Sequence, residues 1–179
     1  MPWDRRLEDL FDDLEQQADG LALAQRDAEV AELARAEYAQ VDLAARLHGS
    51  LGRRLVLDVL GAGAVEGSLS RVGRDWCLID TGSNECLVRL AATRSLRGLA
   101  AGGPSLESRR ITARLGLASA LRTVAQSRLD SVLLSTDGSA TRGRLERVGA
   151  DFVDIRAGEG DAGHLQTVPF GAVAAVRTW

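Results

Sequence analysis

One stretch of sequence occurs twice in this chain. Residues 66–79 read EGSLSRVGRDWCLI, and residues 142–155, which lie 76 positions later, read RGRLERVGADFVDI. The two segments are identical at 7 of 14 positions. Self-similarity at a fixed spacing is the signature of a repeated structural unit, so the chain is predicted to contain a duplicated β module. The identical pairs are Gly67/Gly143, Leu69/Leu145, Arg71/Arg147, Val72/Val148, Gly73/Gly149, Asp75/Asp151 and Ile79/Ile155.

The similarity resumes further along, where residues 88–97 align with residues 168–177 at an offset of 80. Alternating apolar and polar residues predict five short strands in each copy. In the first copy these strands are 54–60, 65–72, 75–80, 85–90 and 94–99. In the second copy they are 129–136, 142–148, 151–156, 164–170 and 172–178. Pro169 favours an edge position for the strand that carries it, because proline donates no hydrogen bond to a ladder.

Five short strands that bend at glycines are typical of a small barrel, since a flat sheet of that size leaves its edges open. The predicted fold class is therefore α+β, with an N-terminal long helix or helical pair followed by two five-stranded small β-barrels, each preceded by a short helix. The predicted domains are an acidic amphipathic helical segment (1–48), a first barrel (49–99), a linker (100–110), and a helix with the second barrel (111–179).

The N-terminal segment is acidic and has the periodicity of a helix. Residues 1–51 hold 12 acids and 5 arginines, a balance of −7. A narrow apolar stripe with charges on both sides suits a coiled coil or a helix laid on a partner. The alternative is a helix that packs on the barrels of its own chain. The stripe begins with Leu7, Leu10, Phe11, Leu14, Ala18 and Leu21 and resumes with Val30, Leu33, Ala34, Tyr38, Val41 and Ala45.

Composition excludes several classes of protein. No apolar run approaches the ~20 residues that cross a bilayer, and the acidic N-terminus does not resemble a signal peptide. The expectation is a cytoplasmic protein with no membrane contact. Two cysteines, Cys77 and Cys86, do not make a disulfide framework. They fall on adjacent predicted strands, centred between Thr81 and Gly82, where they would face each other as buried thiols; a redox pair or half of a zinc site are the alternatives.

Motifs that carry catalysis are missing. The glycine-rich residues 61–67 (GAGAVEG) lack the GxGxxG spacing and precede a strand instead of a helix. His48 and His164 have no partner at metal-ligand spacing. No catalytic residue, no cofactor and no metal site is predicted, so the chain is expected not to be an enzyme.

The repeated Val-Gly-x-Asp element predicts a turn. Gly73 and Gly149 are expected to supply positive φ, and Asp75 and Asp151 to cap the turn with their own side chains. The aromatic residue that follows, Trp76 or Phe152, is expected to fill the interior of each barrel.

Every basic residue is arginine, and residues 101–128 carry 5 arginines and 1 acid. A face of arginines would bind phosphate with strongly salt-dependent affinity. The alternative is solvated charge paired with Asp58, Glu66, Asp75 and Asp80. The candidate nucleic-acid-binding residues are Arg71, Arg74, Arg94, Arg97, Arg109, Arg110 and Arg114.

A helix followed by a bent five-stranded barrel with Gly-x-Leu on its second strand resembles the Sm-like (LSm/Hfq) small-barrel fold. The motif is Gly67-x-Leu69 in one copy and Gly143-x-Leu145 in the other, and Leu96-Arg97-Gly98 is similar to the family's Ile-Arg-Gly tripeptide. The family's RNA-contacting asparagine is absent, so the resemblance implies the fold and not uridine binding. The whole chain also resembles an uncharacterised actinobacterial family sometimes labelled transcriptional regulators.

Together these features predict a non-catalytic binding or scaffold protein. It would act through protein–protein contacts, by self-association or with a partner, using the N-terminal helix and the barrel edges. The alternative is a nucleic-acid-binding regulator that uses the arginine-rich face of the first barrel and the connecting helix. No small-molecule substrate is inferred.

Overall fold

The computed structural model describes residues 20–100, 115–158 and 163–178, apart from Ala22, Ala24 and Gln40. It is a mixed α+β fold that divides at Val41 and Asp42 into two compact units, the second of which holds all the strands. The predicted linker, Arg109, Arg110 and Arg114 lie outside the described residues, except for Ala100.

The first unit contributes helix α1, whose described residues lie between positions 20 and 39. Gly20 is helical, whereas Val41 and Asp42 are not, and helix α2 (Leu43–His48) follows. Residues 20–48 therefore contain two helices, and residues 1–19 of the predicted helical segment lie outside the described residues. Asp42 ends the interruption, because its side chain accepts a hydrogen bond from the Ala45 amide at 2.6 Å and so caps α2.

The strands lie within a few residues of their predicted positions. In the first module they are β1 (Arg54–Val59), β2 (Gly63–Val72), β3 (Trp76–Asp80), β4 (Glu85–Arg89) and β5 (Thr93–Arg97). Helix α3 (Leu117–Ser127) leads into the second module. Its strands are β6 (Ser131–Ser135), β7 (Ala140–Val148), β8 (Phe152–Ala157), β9 (His164–Pro169) and β10 (Val173–Thr178).

The duplication extends to the register of the strands. The β2–β3 ladder shifts between Leu69 and Arg71, and the β7–β8 ladder shifts between Leu145 and Arg147, 76 positions later. A short 3₁₀ turn precedes the last strand of each module, at Leu90–Ala92 and Phe170–Ala172. The two modules are therefore copies in backbone geometry as well as in sequence.

The ten described strands form one antiparallel sheet in the order β5-β1-β2-β3-β4-β10-β6-β7-β8-β9. This order has two ends, so the prediction of two separate closed barrels is not confirmed. The modules join edge to edge, because β4 pairs with β10 over four residues, from Glu85 opposite Thr178 to Val88 opposite Ala175. Pro169 lies on β9, an end strand, in agreement with the prediction from its missing donor.

The apolar side chains form two cores, and each core takes residues from both modules. The core of module 1 includes Leu47 of α2 together with Ala174 and Ala175 of β10. The core of module 2 includes Trp76 and Leu87 of module 1. The β4–β10 junction is thus a continuous part of the hydrophobic interior. Among the described residues, no helix is long and apolar enough to cross a membrane.

Candidate functional site: two aromatic turns, one covered and one open

The turn between β2 and β3 of module 1 holds the residues that start helix α3. The Arg74 amide and the Trp76 indole Nε1–H both donate to the Leu115 carbonyl, at 3.0 and 2.9 Å. The Asp75 carboxylate accepts from the Leu117 amide at 2.7 Å. Leu117 and Trp76 are buried as a result, with 4% and 6% of their surfaces exposed.

Two predictions about this turn were wrong. Asp75 does not cap its own turn; it caps a helix 42 residues further along the chain. Neither Gly73 nor Gly149 has positive φ. At either position a Cβ would overlap the ring of the aromatic residue that follows, Trp76 or Phe152, unless that ring moves.

The equivalent turn of module 2 has the same backbone hydrogen bonds. The Gly149 amide donates to the Phe152 carbonyl at 2.9 Å, as Gly73 does to Trp76. The Phe170 amide donates to the Asp151 carbonyl at 2.7 Å, as Leu90 does to Asp75 at 2.9 Å. The second turn is therefore built like the first.

The two turns differ in what covers them. Phe152 is 37% exposed, and Ala150 and Asp151 are also exposed. No acceptor among the described residues is bonded to the Ala150 amide. Each aromatic residue was predicted to fill the interior of its own barrel; Trp76 is instead buried in the core of module 2, and Phe152 is exposed.

An open depression of about 500 Å³ lies beside Phe152, lined by Arg147, Val148, Gly149, Phe152, Asp154 and Thr167. Asp154 is 5% exposed and accepts a hydrogen bond from the Thr167 hydroxyl at 2.6 Å. Arg147 pairs with the same carboxylate at 3.2 Å. The buried charge is thus satisfied on both oxygens.

This floor is apolar in the other module. Asp154 and Thr167 are cross-strand partners, and the residues at the same places in module 1 are the partners Leu78 and Leu87. The leucines contribute to the core shared with α3. In module 2 the Asp154 carboxylate and the Thr167 hydroxyl take the place of these leucines, so the surface beside Phe152 is polar where that of module 1 is apolar.

The described members of the predicted arginine set lie at separate places. Arg71 and Arg74 are on and after β2, whereas Arg94 and Arg97 are on β5, at the end of the sheet. Arg94 pairs with Asp58 at 2.7 Å, and Arg74 lies 3.9 Å from Asp75. No carboxylate of a described residue pairs with Arg71 or Arg97.

Ion pairs across neighbouring strands are frequent elsewhere on the surface. Arg54 pairs with Glu66 at 3.0 Å, and Arg144 with Asp130 at 2.8 Å. Arg156 bonds Glu146 and lowers the pKa of that carboxyl. Exposed pairs of this kind contribute little stability each, so they mainly offset the positive charge of the surface.

Cys77 and Cys86 are free thiols in the core. Cys77 is opposite Val88, and Cys86 is opposite Ile79, so the two cysteines are diagonal neighbours rather than directly opposed. The predicted register was wrong, because the hairpin is centred between Gly82 and Ser83, one residue later than expected. Burial, and then the charge of Cys86, raises the pKa of Cys77 to about 12. Such thiols are poor nucleophiles and poor metal ligands.

His48 is partly buried at the end of α2, and His164 is exposed at the start of β9. Within the described part of the chain, no three residues of the metal-binding types cluster. No protein-family model matches the chain, and no curated protein sequence does. The resemblance to the Sm-like fold therefore stays a prediction.

Sequence reasoning missed the role of residues 115–117. The sequence pattern predicted a helix from residue 111, with residues 115–117 inside it, whereas α3 begins at Leu117. The contact of this segment with the turn at Trp76 spans 39 residues. The available signal was the aligned pair of helices, since LAARL at 43–47 precedes module 1 as LASAL at 117–121 precedes module 2.

Proposed function

We propose that the protein is a non-catalytic scaffold that acts through protein–protein contacts, with helix α1 as a self-association element. The observation that supports this proposal is the exposed apolar stripe of α1. The exposed fractions are 66% for Val30, 64% for Leu33 and 54% for Tyr38. Large apolar side chains that recur on one helical face form the seam of a coiled coil when a second helix covers them.

A second copy of the chain is the partner that suits this helix. Acids and arginines both border the stripe, as Arg26 and Asp27, four and three residues before Val30, illustrate. Mixed charge beside an apolar seam allows favourable pairs between two identical helices. A helix of about this length also gains most of its stability from packing its apolar face, which a second copy would provide.

The test is the mass of the full chain in solution by light scattering. Leu33→Glu places a charge on the stripe and should lower the mass to that of a monomer at low concentration. Ala36→Glu introduces the same side chain away from the stripe and should leave the mass unchanged. Equal masses for wild type and Leu33→Glu would remove self-association through α1.

The ends of the sheet are the second element of the proposal. Strand β5 carries Arg94 and Arg97, and β9 carries Pro169. Charge and proline on an end strand suppress indiscriminate pairing with other chains. Contacts at these ends therefore require a partner of matching register and a further anchoring contact.

A nucleic-acid-binding regulator is the alternative proposal. Arg71 and Arg97 favour it, because both are exposed and unpaired among the described residues. Fluorescence anisotropy of labelled RNA and duplex DNA at two salt concentrations tests it. Binding that weakens steeply with salt and is lost in Arg71→Ala/Arg97→Ala would support a regulator. No binding at low salt would remove this alternative.

A further inference from the structure

The start of α2 and the turn at Phe152 are the two halves of one contact, and within the described chain these halves are not joined. Leu117 is the first residue of α3, and Leu43 is the first residue of α2. Four residues further on, Leu121 and Leu47 are both 0% exposed, so the two helices sit on their modules in the same way. Leu117 is 4% exposed because Trp76 of the preceding module covers it, whereas Leu43 is 39% exposed.

Phe152 is the other unmatched half. It occupies the position of Trp76, on a turn with the same backbone hydrogen bonds, and is 37% exposed. We propose that Leu43 of one copy binds the Phe152 turn of a second copy, repeating between chains the contact that Leu117 makes with Trp76 inside the chain. This proposal adds a second contact to the self-association proposed above and rests on a different surface.

The hydrogen bonds of the internal contact can be repeated at the open turn. The Ala150 amide would donate to the Val41 carbonyl, as Arg74 donates to Leu115. The Asp151 carboxylate would accept from the Leu43 amide, as Asp75 accepts from Leu117. Phe152 has no indole N–H, so the contact between chains has one hydrogen bond fewer than the internal one.

Ala150 makes room for the residue that precedes Leu43. Gly116 stands at that place in the internal contact, and a Cβ added to it would meet the Arg74 guanidinium at 3.0 Å and the Asp75 Oδ1 atom at 3.7 Å. The corresponding residue of α2 is Asp42, which has a side chain. Because module 2 has Ala150 in place of Arg74, the nearer obstacle is absent from the open turn. Asp42 would approach the carboxylate of Asp151, and Arg122, which donates to the Gly149 carbonyl at 3.2 Å on the same turn, would offset part of that repulsion.

The end strands are compatible with the same arrangement. Repeating the β4–β10 register would place residues 165–168 of β9 opposite residues 95–98 of β5 in the second copy. No two like charges would be opposed, and Pro169 would lie outside the ladder. Asp154 and Thr167 replace two core leucines at this surface. The contact is therefore weaker than the internal junction and forms reversibly.

The contact is head to tail, since each copy would use Leu43 on one side and Phe152 on the other. The test uses the full chain with Leu33→Glu in every sample, so that α1 does not contribute to the mass. Sedimentation velocity should show association that increases with concentration, and either Leu43→Glu or Phe152→Asp alone should abolish it. Both side chains are partly exposed, so circular dichroism should show both variants folded.

The decisive experiment mixes the Leu43→Glu and Phe152→Asp chains in equal amounts. The Phe152→Asp chain retains Leu43 and the Leu43→Glu chain retains Phe152, so the mixture should form a dimer and nothing larger. Failure of the mixture to associate, or unchanged association of either variant alone, would overturn the proposal. Neither result bears on α1, whose own test compares Leu33→Glu with wild type.

Discussion

Modules 1 and 2 share their strand order, their ladder shifts and their aromatic turns, yet only one of the turns is covered. The start of α3 covers the turn at Trp76, and the turn at Phe152 is open. The side chains follow this difference, since Leu78 and Leu87 border the covered turn and Asp154 and Thr167 border the open one. The same turn is therefore buried in module 1 and exposed to solvent in module 2.

The largest effect should separate the two aromatic residues. Trp76→Ala removes a buried side chain and its hydrogen bond, which should lower the free energy of unfolding by about 3–5 kcal/mol. Phe152→Ala removes a side chain of a residue that is already 37% exposed and should cost about 1–2 kcal/mol. Urea denaturation followed by circular dichroism measures both. Equal losses would mean that the turns are not differently covered.

Substitution of the glycines that contact these rings, Gly73 and Gly149, should show the same difference between the modules, with smaller losses of stability. In Gly73→Ala the new methyl group overlaps the Trp76 ring, which is held by packing and by its bond to Leu115, so the variant should lose about 1–3 kcal/mol. In Gly149→Ala the exposed Phe152 ring can turn aside, and the loss should be within about 0.5 kcal/mol. Thermal unfolding of the two variants compares them. A larger loss in Gly149→Ala would contradict the comparison.

Arg89 is specific to the covered side. It donates to the carbonyls of Val173 and Gly171 and so ties module 1 to module 2, whereas the equivalent residue of module 2 is Pro169. Arg89→Ala should lower the free energy of unfolding by about 1–3 kcal/mol, because two carbonyls lose a charged donor. Arg71→Ala is the matched control and should be neutral to about 0.5 kcal/mol. The urea midpoints of Arg89→Ala and Arg71→Ala, each compared with that of the wild type, measure the two losses.

The smallest expected difference between the two modules comes from the buried thiol of Cys77. The pKa of its thiol is about 12 in the folded protein, against the ordinary value of 9.0 that applies to the unfolded chain. Unfolding therefore releases a proton between about pH 9 and 12, and this group makes stability fall as the pH rises through that window. Module 2 has the buried Val153 at the same position.

Cys77→Val should consequently reduce the alkaline loss of stability while changing stability at pH 7 only slightly. Urea denaturation at pH 7 and pH 10 measures both effects. An identical alkaline loss in wild type and Cys77→Val would show that Cys77 is not the group responsible.

Local patterns predicted much of this fold, and long-range contacts account for the errors. Alternation located the ten strands of the described residues, and Pro169 indicated an end strand, because each signal lies within a few residues. The role of Asp75 depends on Leu117, which is distant in sequence, and nothing near Asp75 distinguishes it from a local cap. The edge strands have similar sequences. The sequence therefore does not indicate that β4 pairs with β10 instead of closing a barrel within its own module.

The candidate site was beyond sequence reasoning for a related reason. Phe152 and Trp76 align as equivalent aromatic residues, and the alignment carries no information on which of them is covered. The arginines were predicted either to form a phosphate-binding face or to pair with acids that include Asp58, and Arg94 does pair with Asp58 across neighbouring strands. Whether an arginine is paired depends on cross-strand register, which a predicted strand boundary does not define.

Amide hydrogen exchange at Arg74 and Ala150, resolved by NMR, tests the central comparison most directly. In dilute protein the Arg74 amide should exchange slowly, because it donates to the Leu115 carbonyl, and the Ala150 amide should exchange rapidly. As the concentration of the Leu33→Glu chain rises, the Ala150 amide should become protected while Arg74 stays unchanged. Equal protection of the two amides in dilute protein would contradict the contrast between a covered and an open turn.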